Sequence, residues 1–340
     1  MSGYCFFQTS GSEGTPKWVA LSKQAFLTSA QAVNAHFEVS SADRWLIALP
    51  LHHVGGFAIL ARSYLSGSKV LQDLSRWHPH TFVELCEREK ITLVSLVPTQ
   101  IHDLVREKIS CPKTLRAAII GGGGMSRELT LQAKALGWPV FQSYGMTEAA
   151  SQIATQPYRP SSADLAESAL EILPHWQTRL NDDGQLVISG PVLARGYAQW
   201  NSSSEWLWQD IGHELVTRDR VKLWQQGHLQ YLEFLGRESG YVKILGELVH
   251  LTPLQTHLES LCLQRGVSSI PVIMAQPDTR RECRLVLVSD SADADELWAA
   301  FNADIPPLCQ LIEVIHVPRL PRSDLGKVDI TALNRLISPS

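Results

Sequence analysis

The sequence predicts an α/β protein in two parts. The first is a large domain with a mixed, mainly parallel sheet and an antiparallel sheet region; the second is a small α+β domain at the C-terminus. Three observations predict it. Short apolar runs alternate with helical patterns through the first half, as parallel strands joined by crossover helices require. From Gly184 onward the pattern changes to short strands separated by turns. Gly236-Arg237-Glu238-Ser239-Gly240 then punctuates the chain ahead of a compact C-terminal unit.

Taken in order, Gly3 to Gln8 is aromatic and apolar, a polar Gly/Ser/Thr loop follows, and Trp18 to Leu21 resumes the apolar pattern, which reads as strand, loop, strand. Ser22 is a natural N-cap for a helix over Lys23–Phe37, since its hydroxyl can accept a first-turn amide hydrogen. Trp45–Leu49, Thr92–Val97 and Arg116–Ile120 are short apolar runs, and Phe82–Glu89 and Pro98–Lys108 have helical spacing. Gly55 to Leu65 also reads as an apolar helix, with Arg62 its only charge. Gln185–Ser189, Val216–Leu223 and His228–Phe234 are the later strands. Beyond the Gly-rich break come a helix near Leu254–Leu263, strands at Pro271–Ala275 and Arg284–Ser289, and a helix at Asp295–Ala303. The domain boundary is therefore expected at 236/237, giving 1–236 and 237–340.

Composition narrows the function classes. A length of 340 residues with 44% hydrophobic and 19% charged content is ordinary for a globular protein. The net charge of -4 offers no basic patch for nucleic acid. The six cysteines show no CxxC pair, so reduced thiols are expected rather than a zinc site or a disulfide framework. No run reaches the ~18 apolar residues of a membrane span, and the N-terminus lacks the charged and apolar regions of a signal peptide. A cytoplasmic protein is expected.

Several segments carry residue types suited to a nucleotide. In Thr9-Ser10-Gly11-Ser12-Glu13-Gly14-Thr15-Pro16-Lys17, glycines free backbone amides to approach phosphate oxygens, while hydroxyls and a lysine add donors and charge. It is not a Walker A loop, because Pro16 precedes the lysine and β-structure follows; alone, it also fits a polar hairpin turn. His53, in Pro50-Leu51-His52-His53-Val54-Gly55-Gly56, stands at a strand end where α/β sites form, and equally suits a structural histidine. Gly121, Gly122, Gly123 and Gly124 leave the backbone bare beside a strand, room for a flat ring or a phosphate. Tyr144-Gly145-Met146-Thr147-Glu148 offers an aromatic face, a hydroxyl and a carboxylate, apt for a base, a phosphate and Mg²⁺, or else an amphipathic strand end. Asp219 can accept from ribose hydroxyls or cap a turn. Lys327 sits on a Pro/Gly-framed loop, Pro321 to Lys327, where many lysines are only solvated. Arg62 either snorkels to solvent or meets an anion.

Six segments in this order resemble the adenylate-forming superfamily of acyl- and aryl-CoA synthetases, peptide-synthetase adenylation domains and luciferases. Ser143–Thr155 (SYGMTEAASQIAT) and Leu49–Leu60 (LPLHHVGGFAIL) are most similar to the branch that activates o-succinylbenzoate for menaquinone and phylloquinone. The resemblance runs over essentially the whole chain. It implies an AMP-forming acid–thiol ligase using ATP, Mg²⁺ and coenzyme A. By it, Thr9 to Lys17 hold the ATP phosphates, Gly121–Gly124 and Tyr144–Gly145 form the adenine slot, Thr147 contacts phosphate and Glu148 binds Mg²⁺. Asp219 holds ribose, Arg237 contacts the nucleotide, and Lys327 is the mobile lysine of the small domain. Apart from the resemblance, His53 is expected as a catalytic and acid-binding residue, and Arg62, the lone charge of an apolar helix, is expected to pair with the second carboxylate of o-succinylbenzoate. Another aryl- or acyl-CoA ligase and a non-catalytic nucleotide-binding relic are the alternatives.

Three departures stand out. Glu13 replaces the family's usual threonine, and Ser239 its usual aspartate or lysine. The family also carries a large segment ahead of the phosphate loop, which here begins at residue 9; the chain is a reduced member or a fragment. Apolar surface near Tyr4–Phe7, Trp18 and the first helix is then expected to be covered by self-association or a partner chain.

Overall fold

A computed structural model describes residues 3–9, 17–73, 76–159, 165–200, 205–324 and 326–337. The chain divides into two compact units, Met1–Met125 with Ala133–Leu235, and Ser126–Gln132 with Gly236–Ser340. The main division thus falls at 235/236, and a short stretch of the first half clusters with the C-terminal unit.

In the first unit, β1 (Tyr4–Thr9) and β2 (Lys17–Ser22) pair antiparallel, with Thr9 opposite Lys17. The Ser22 hydroxyl accepts from the Ala25 amide at 3.0 Å and so starts α1 (Lys23–His36). Then follow β3 (Arg44–Ile47), α2 (Val54–Ser66), β4 (Lys69–Gln72), α3 (Pro79–Arg88), β5 (Leu93–Leu96), α4 (Pro98–Arg106), β6 (Ala117–Ile120), α5 (Arg127–Ala135), whose residues up to Gln132 are grouped with the second unit, and β7 (Val140–Met146). Gly67, just past α2, takes φ 67°, the left-handed conformation that lets a helix end abruptly. Residues Thr147–Ala149 form one 3₁₀ turn, and β8 (Ser151–Thr155), β9 (Leu170–Ile172), β10 (Gln177–Leu180), β11 (Gln185–Ser189), β12 (Gly196–Trp200), β13 (Trp206–Asp210), β14 (Glu214–Gln226) and β15 (Leu229–Arg237) complete the series.

These strands form two sheets. One of eleven strands runs β10-β11-β14-β15-β9-β8-β7-β6-β5-β3-β4, parallel from β4 to β7 and antiparallel from β7 through β8 and β9 to β15. The antiparallel region expected after Gly184 is thus the continuation of the parallel sheet, joined to it through β7 and β8. The second sheet, β1-β2-β12-β13, is antiparallel throughout and unites strands nearly two hundred residues apart. The core combines Phe26 and Val33 of α1, Ala58 and Ile59 of α2, Phe7 of β1, Trp45 and Ile47 of β3, and Ile153 of β8. Phe7, Phe26 and Phe57 meet with centroids 4.9 to 5.6 Å apart in tilted and edge-on contacts.

In the second unit, β16 (Tyr241–Ile244) and β17 (Glu247–His250) form a hairpin. Its two turn residues, Leu245 and Gly246, both have positive φ, 52° and 84°, the geometry that follows strand twist in a two-residue loop. After α6 (Leu251–Arg265) come β18 (Val272–Asp278), β19 (Glu282–Ser289), α7 (Ala294–Asp304), β20 (Leu311–His316) and α8 (Ile330–Ile337). Strand β19 is central: Leu285 and Leu287 pack with Leu258 and Phe301, while Val286 and Val288 pack with Leu320 and Leu333. Alternation along one strand therefore feeds two cores. All six cysteines are free. No helix among the described residues is long and apolar enough to cross a membrane.

Candidate functional site

Parallel order brings the ends of β5, β6 and β7 side by side, which is where open α/β sheets place their ligands. Gly121 follows β6 directly and its amide donates to the Leu96 carbonyl at 3.0 Å. A Cβ there would stand 3.3 Å from the Ser143 hydroxyl, and one on Gly123 would stand 3.6 Å from the Pro98 ring. Gly122 has φ 78°, and Gly124 faces open space. The run is thus bare backbone beside β7.

Strand β7 ends in the Tyr144–Glu148 segment. Its register against β8 slips between Tyr144 and Gly145, and a Cβ on Gly145 would collide with the Ser151 carbonyl, so only glycine fits. The Tyr144 hydroxyl donates to Asp219 Oδ2 at 2.7 Å, and its ring lies 5.8 Å from Phe234 at 30°. Asp219, on β14, is 1% exposed. Two residues expected to serve adenine and ribose are therefore in direct contact.

Thr147 and Glu148 open the 3₁₀ turn that ends on Ala150 and Ser151, both at positive φ, 47° and 105°. Backbone of this kind is held only where surrounding contacts over-determine it. The Glu148 carbonyl accepts from the Ala194 amide at 2.8 Å, and Glu148 Oε1 accepts from the Tyr197 hydroxyl at 3.1 Å. Lys17 Nζ stands 5.6 Å from the centroid of the same Tyr197 ring. Glu148 is half-buried, and among the described residues the side-chain hydrogen bond to its carboxylate falls on Oε1; a carboxylate next in sequence to the Thr147 hydroxyl is the hard oxygen chemistry that suits Mg²⁺. Burial, with Glu148 as a second cause, pushes the Tyr197 phenol up, so Tyr197 is a neutral donor. Thr9 and Lys17 face each other where β1 and β2 meet, the Thr9 hydroxyl donating to the Lys17 carbonyl at 3.4 Å. Ser10, Gly11, Ser12, Glu13 and Gly14 lie outside the described residues.

Arg62 does not snorkel. It is 1% exposed, with its guanidinium 5.7 Å from the Trp45 ring. Nη1 reaches the Ser95 hydroxyl and Nη2 the Ser151 hydroxyl, each at 3.4 Å, and the buried Nε has no partner. Among the described residues no carboxylate pairs with it. Burial lowers its pKa to about 10, which still leaves it cationic at neutral pH. Ser151 links Arg62 to the Tyr144–Glu148 segment, because it pairs with Met146 in the sheet. His53 stands at the other end of α2, roughly 13 Å along the axis at 1.5 Å per residue. Its carbonyl accepts from the Gly56 and Phe57 amides, and its ring meets His52 at 4.4 Å. The structure therefore does not bring His53 and Arg62 together.

In the second unit Lys327 sits in a tight loop. Arg322 and Val328 form a bridge, the Ser323 amide donates to the Lys327 carbonyl at 2.7 Å, and the Asp329 amide donates to the Pro321 carbonyl at 2.8 Å. Lys327 is exposed by area, yet desolvation, with the Arg237 charge as a second cause, lowers its pKa. Arg237 and Lys327 are thus close enough to interact electrostatically within this unit.

Trp45, Ser95 and Tyr197 lie outside the motifs singled out in the sequence, and Ser151, though inside Ser143–Thr155, is assigned no role there. Only Tyr197 leaves a trace, as the large residue beside Gly196 in a short strand.

Residues 3–198 match the AMP-binding enzyme family. Among curated relatives, the 2-succinylbenzoate–CoA ligase of Listeria monocytogenes is 26% identical over 324 residues, 94% of this chain and 67% of that protein. The enzyme of the same name from Bacillus subtilis is 31% identical over 261 residues, 74% of this chain and 52% of that protein. The chain thus spans between about half and about two thirds of their lengths. A solved structure of o-succinylbenzoate CoA synthetase from Bacillus subtilis, in complex with its acyl-adenylate intermediate, superposes with a TM-score of 0.78 at 26% identity, covering 98% of this chain and 69% of that one.

Proposed function

This chain belongs to the AMP-binding enzyme family, and from that premise we propose that it is an ATP-dependent acid–CoA ligase acting on o-succinylbenzoate in menaquinone synthesis. The observation that carries the substrate is Arg62, a buried cation with no carboxylate partner among the described residues. A charge so placed is costly unless an anion meets it, and o-succinylbenzoate has a second carboxylate to spare.

In the first step a carboxylate oxygen of the acid attacks the α-phosphorus of ATP; a new P–O bond forms and the bond to pyrophosphate breaks. Such a step depends on alignment and on cations that spread developing charge. Thr9, Ser10, Gly11, Ser12, Gly14 and Lys17 hold phosphates. Gly121, Gly122, Gly123, Tyr144 and Gly145 line the adenine slot, and Asp219 accepts from ribose hydroxyls. Thr147 contacts phosphate, Arg237 contacts the nucleotide, and His53 borders the acid. Lys327 supplies a cation to the reacting groups. Glu148 would hold Mg²⁺, which would supply neutralising charge on the phosphates. In the second step the thiolate of coenzyme A attacks the acyl carbonyl, a C–S bond forms and AMP leaves. A cytoplasmic location, and a second copy of the chain over the exposed aromatic face of β1-β2-β12-β13, complete the reading.

The test is acid-dependent AMP release by purified protein with ATP, Mg²⁺ and coenzyme A across a panel of acids. We expect o-succinylbenzoate to give the highest kcat/KM. Preference for a monoacid selects another aryl- or acyl-CoA ligase, and no AMP with any acid overturns the ligase reading.

A further inference from the structure

We propose that Tyr197 is a positioning residue that orders two parts of the nucleotide site at once, fixing the Glu148 carboxylate through its hydroxyl and the Lys17 ammonium through its ring face. The inference rests on the ligase reading and deepens it.

The fold explains why one side chain reaches both. In the four-stranded sheet Tyr197 stands opposite Val19, so Lys17, two residues back along β2, shares its face and lies diagonally beside it. The Arg195 amide donates to the Ala20 carbonyl at 2.9 Å and the Ala194 amide to the Glu148 carbonyl at 2.8 Å. The lead into β12 is therefore pinned both to the strand that leaves the phosphate loop and to the turn that bears Glu148. From there the Tyr197 hydroxyl reaches Glu148 Oε1 at 3.1 Å, and the ring faces Lys17 Nζ at 5.6 Å.

The chemistry of the two contacts differs. A neutral phenol donating to Oε1 removes rotamer freedom from Glu148 and occupies one of its two carboxylate oxygens, so the other is the one left for a metal. A hydrogen bond of this kind to a metal-binding side chain typically governs about 10- to 100-fold in metal affinity. The ring contact is a cation–π interaction, which orients an ammonium without neutralising it. That leaves Lys17 its full charge for phosphate.

These contacts can be separated. Calorimetric binding of a non-hydrolysable ATP analogue, with and without Mg²⁺, gives the factor by which Mg²⁺ tightens nucleotide binding. Tyr197→Phe keeps the ring and loses the hydroxyl; it should shrink that factor about 10-fold and leave metal-free binding within two-fold of wild type, at matched melting temperature. Tyr197→Leu loses both, and should in addition weaken metal-free binding a few-fold. Because Tyr197 acts on Mg²⁺ through Glu148, adding Tyr197→Phe to Glu148→Gln should change the factor no further. A Mg²⁺ effect kept in full by Tyr197→Phe, or a double variant that is additive, overturns the inference while leaving the ligase reading intact. Wild-type protein that shows no Mg²⁺-dependent nucleotide binding overturns both.

Discussion

The Tyr144 hydroxyl donates to the buried Asp219 carboxylate at 2.7 Å, joining the end of β7 to the middle of β14. A carboxylate so buried must be satisfied by donors. Tyr144→Phe removes one of them and should cost about 1–3 kcal/mol in urea denaturation. Asp219→Asn keeps the shape and loses the charge, so KM for ATP should rise about ten-fold or more, as for loss of a hydrogen bond to a charged group. An unchanged KM in Asp219→Asn refutes its ribose role.

Arg62 predicts opposite effects on stability and on selection. Arg62→Met removes a buried cation that has no anionic partner among the described residues and fills its volume, so the free protein should gain about 1–4 kcal/mol. Its KM for o-succinylbenzoate should rise roughly 10- to 100-fold, as loss of a charge-assisted hydrogen bond implies, with the KM for benzoate nearly unchanged. Equal effects on both acids would show that Arg62 meets no second carboxylate.

On β1-β2-β12-β13, register places Tyr4, Phe6, Trp18, Trp200, Trp206 and Trp208 on one face, opposite the face that enters the core. Tyr4, Phe6, Trp200, Trp206 and Trp208 are 45 to 58% exposed. Contiguous apolar surface of this kind drives association. Light scattering at micromolar concentration should give a dimer, and Trp206→Lys with Trp208→Glu should give a monomer with wild-type secondary structure. A wild-type monomer would count against the second copy.

His175, between β9 and β10, has both ring nitrogens buried and without partners among the described residues, and burial drops its pKa from 6.5 to about 4. The unfolded chain therefore protonates first as pH falls, and native stability is lost between pH 6.5 and 4. Above that window both states are neutral. Melting temperature should fall more between pH 7 and 4.5 for wild type than for His175→Phe; parallel curves would assign the acid sensitivity elsewhere.

For Lys327 the two half-reactions are the readout. Lys327→Ala should slow acyl-AMP formation about 10²–10³-fold, as for other preorganised charges on a reacting group. Transfer from pre-made acyl-AMP to coenzyme A should stay within a few-fold, at an unchanged melting temperature. Intact adenylation would make Lys327 a merely solvated loop residue.

What the sequence determined by itself was local, or ordered along the chain. Ser22 announced the cap of α1, the apolar run Gly55–Leu65 announced α2 to within a residue at each end, and the glycines after Ile120 announced bare backbone. Such features depend on propensities and φ preferences acting over a few residues. Tertiary structure alone decided the rest. Periodicity marks Gln185–Ser189 as a strand but cannot say that β11 and β14 extend the parallel sheet, because pairing between distant strands leaves no local trace. An arginine in an apolar helix can snorkel or be buried, and only the packing of β3, β5 and β8 around it settled that Arg62 is enclosed by Trp45, Ser95 and Ser151. Tyr197 is likewise an ordinary strand tyrosine until β12 is inserted between β2 and β13, when the register sets it beside Lys17 and within reach of Glu148.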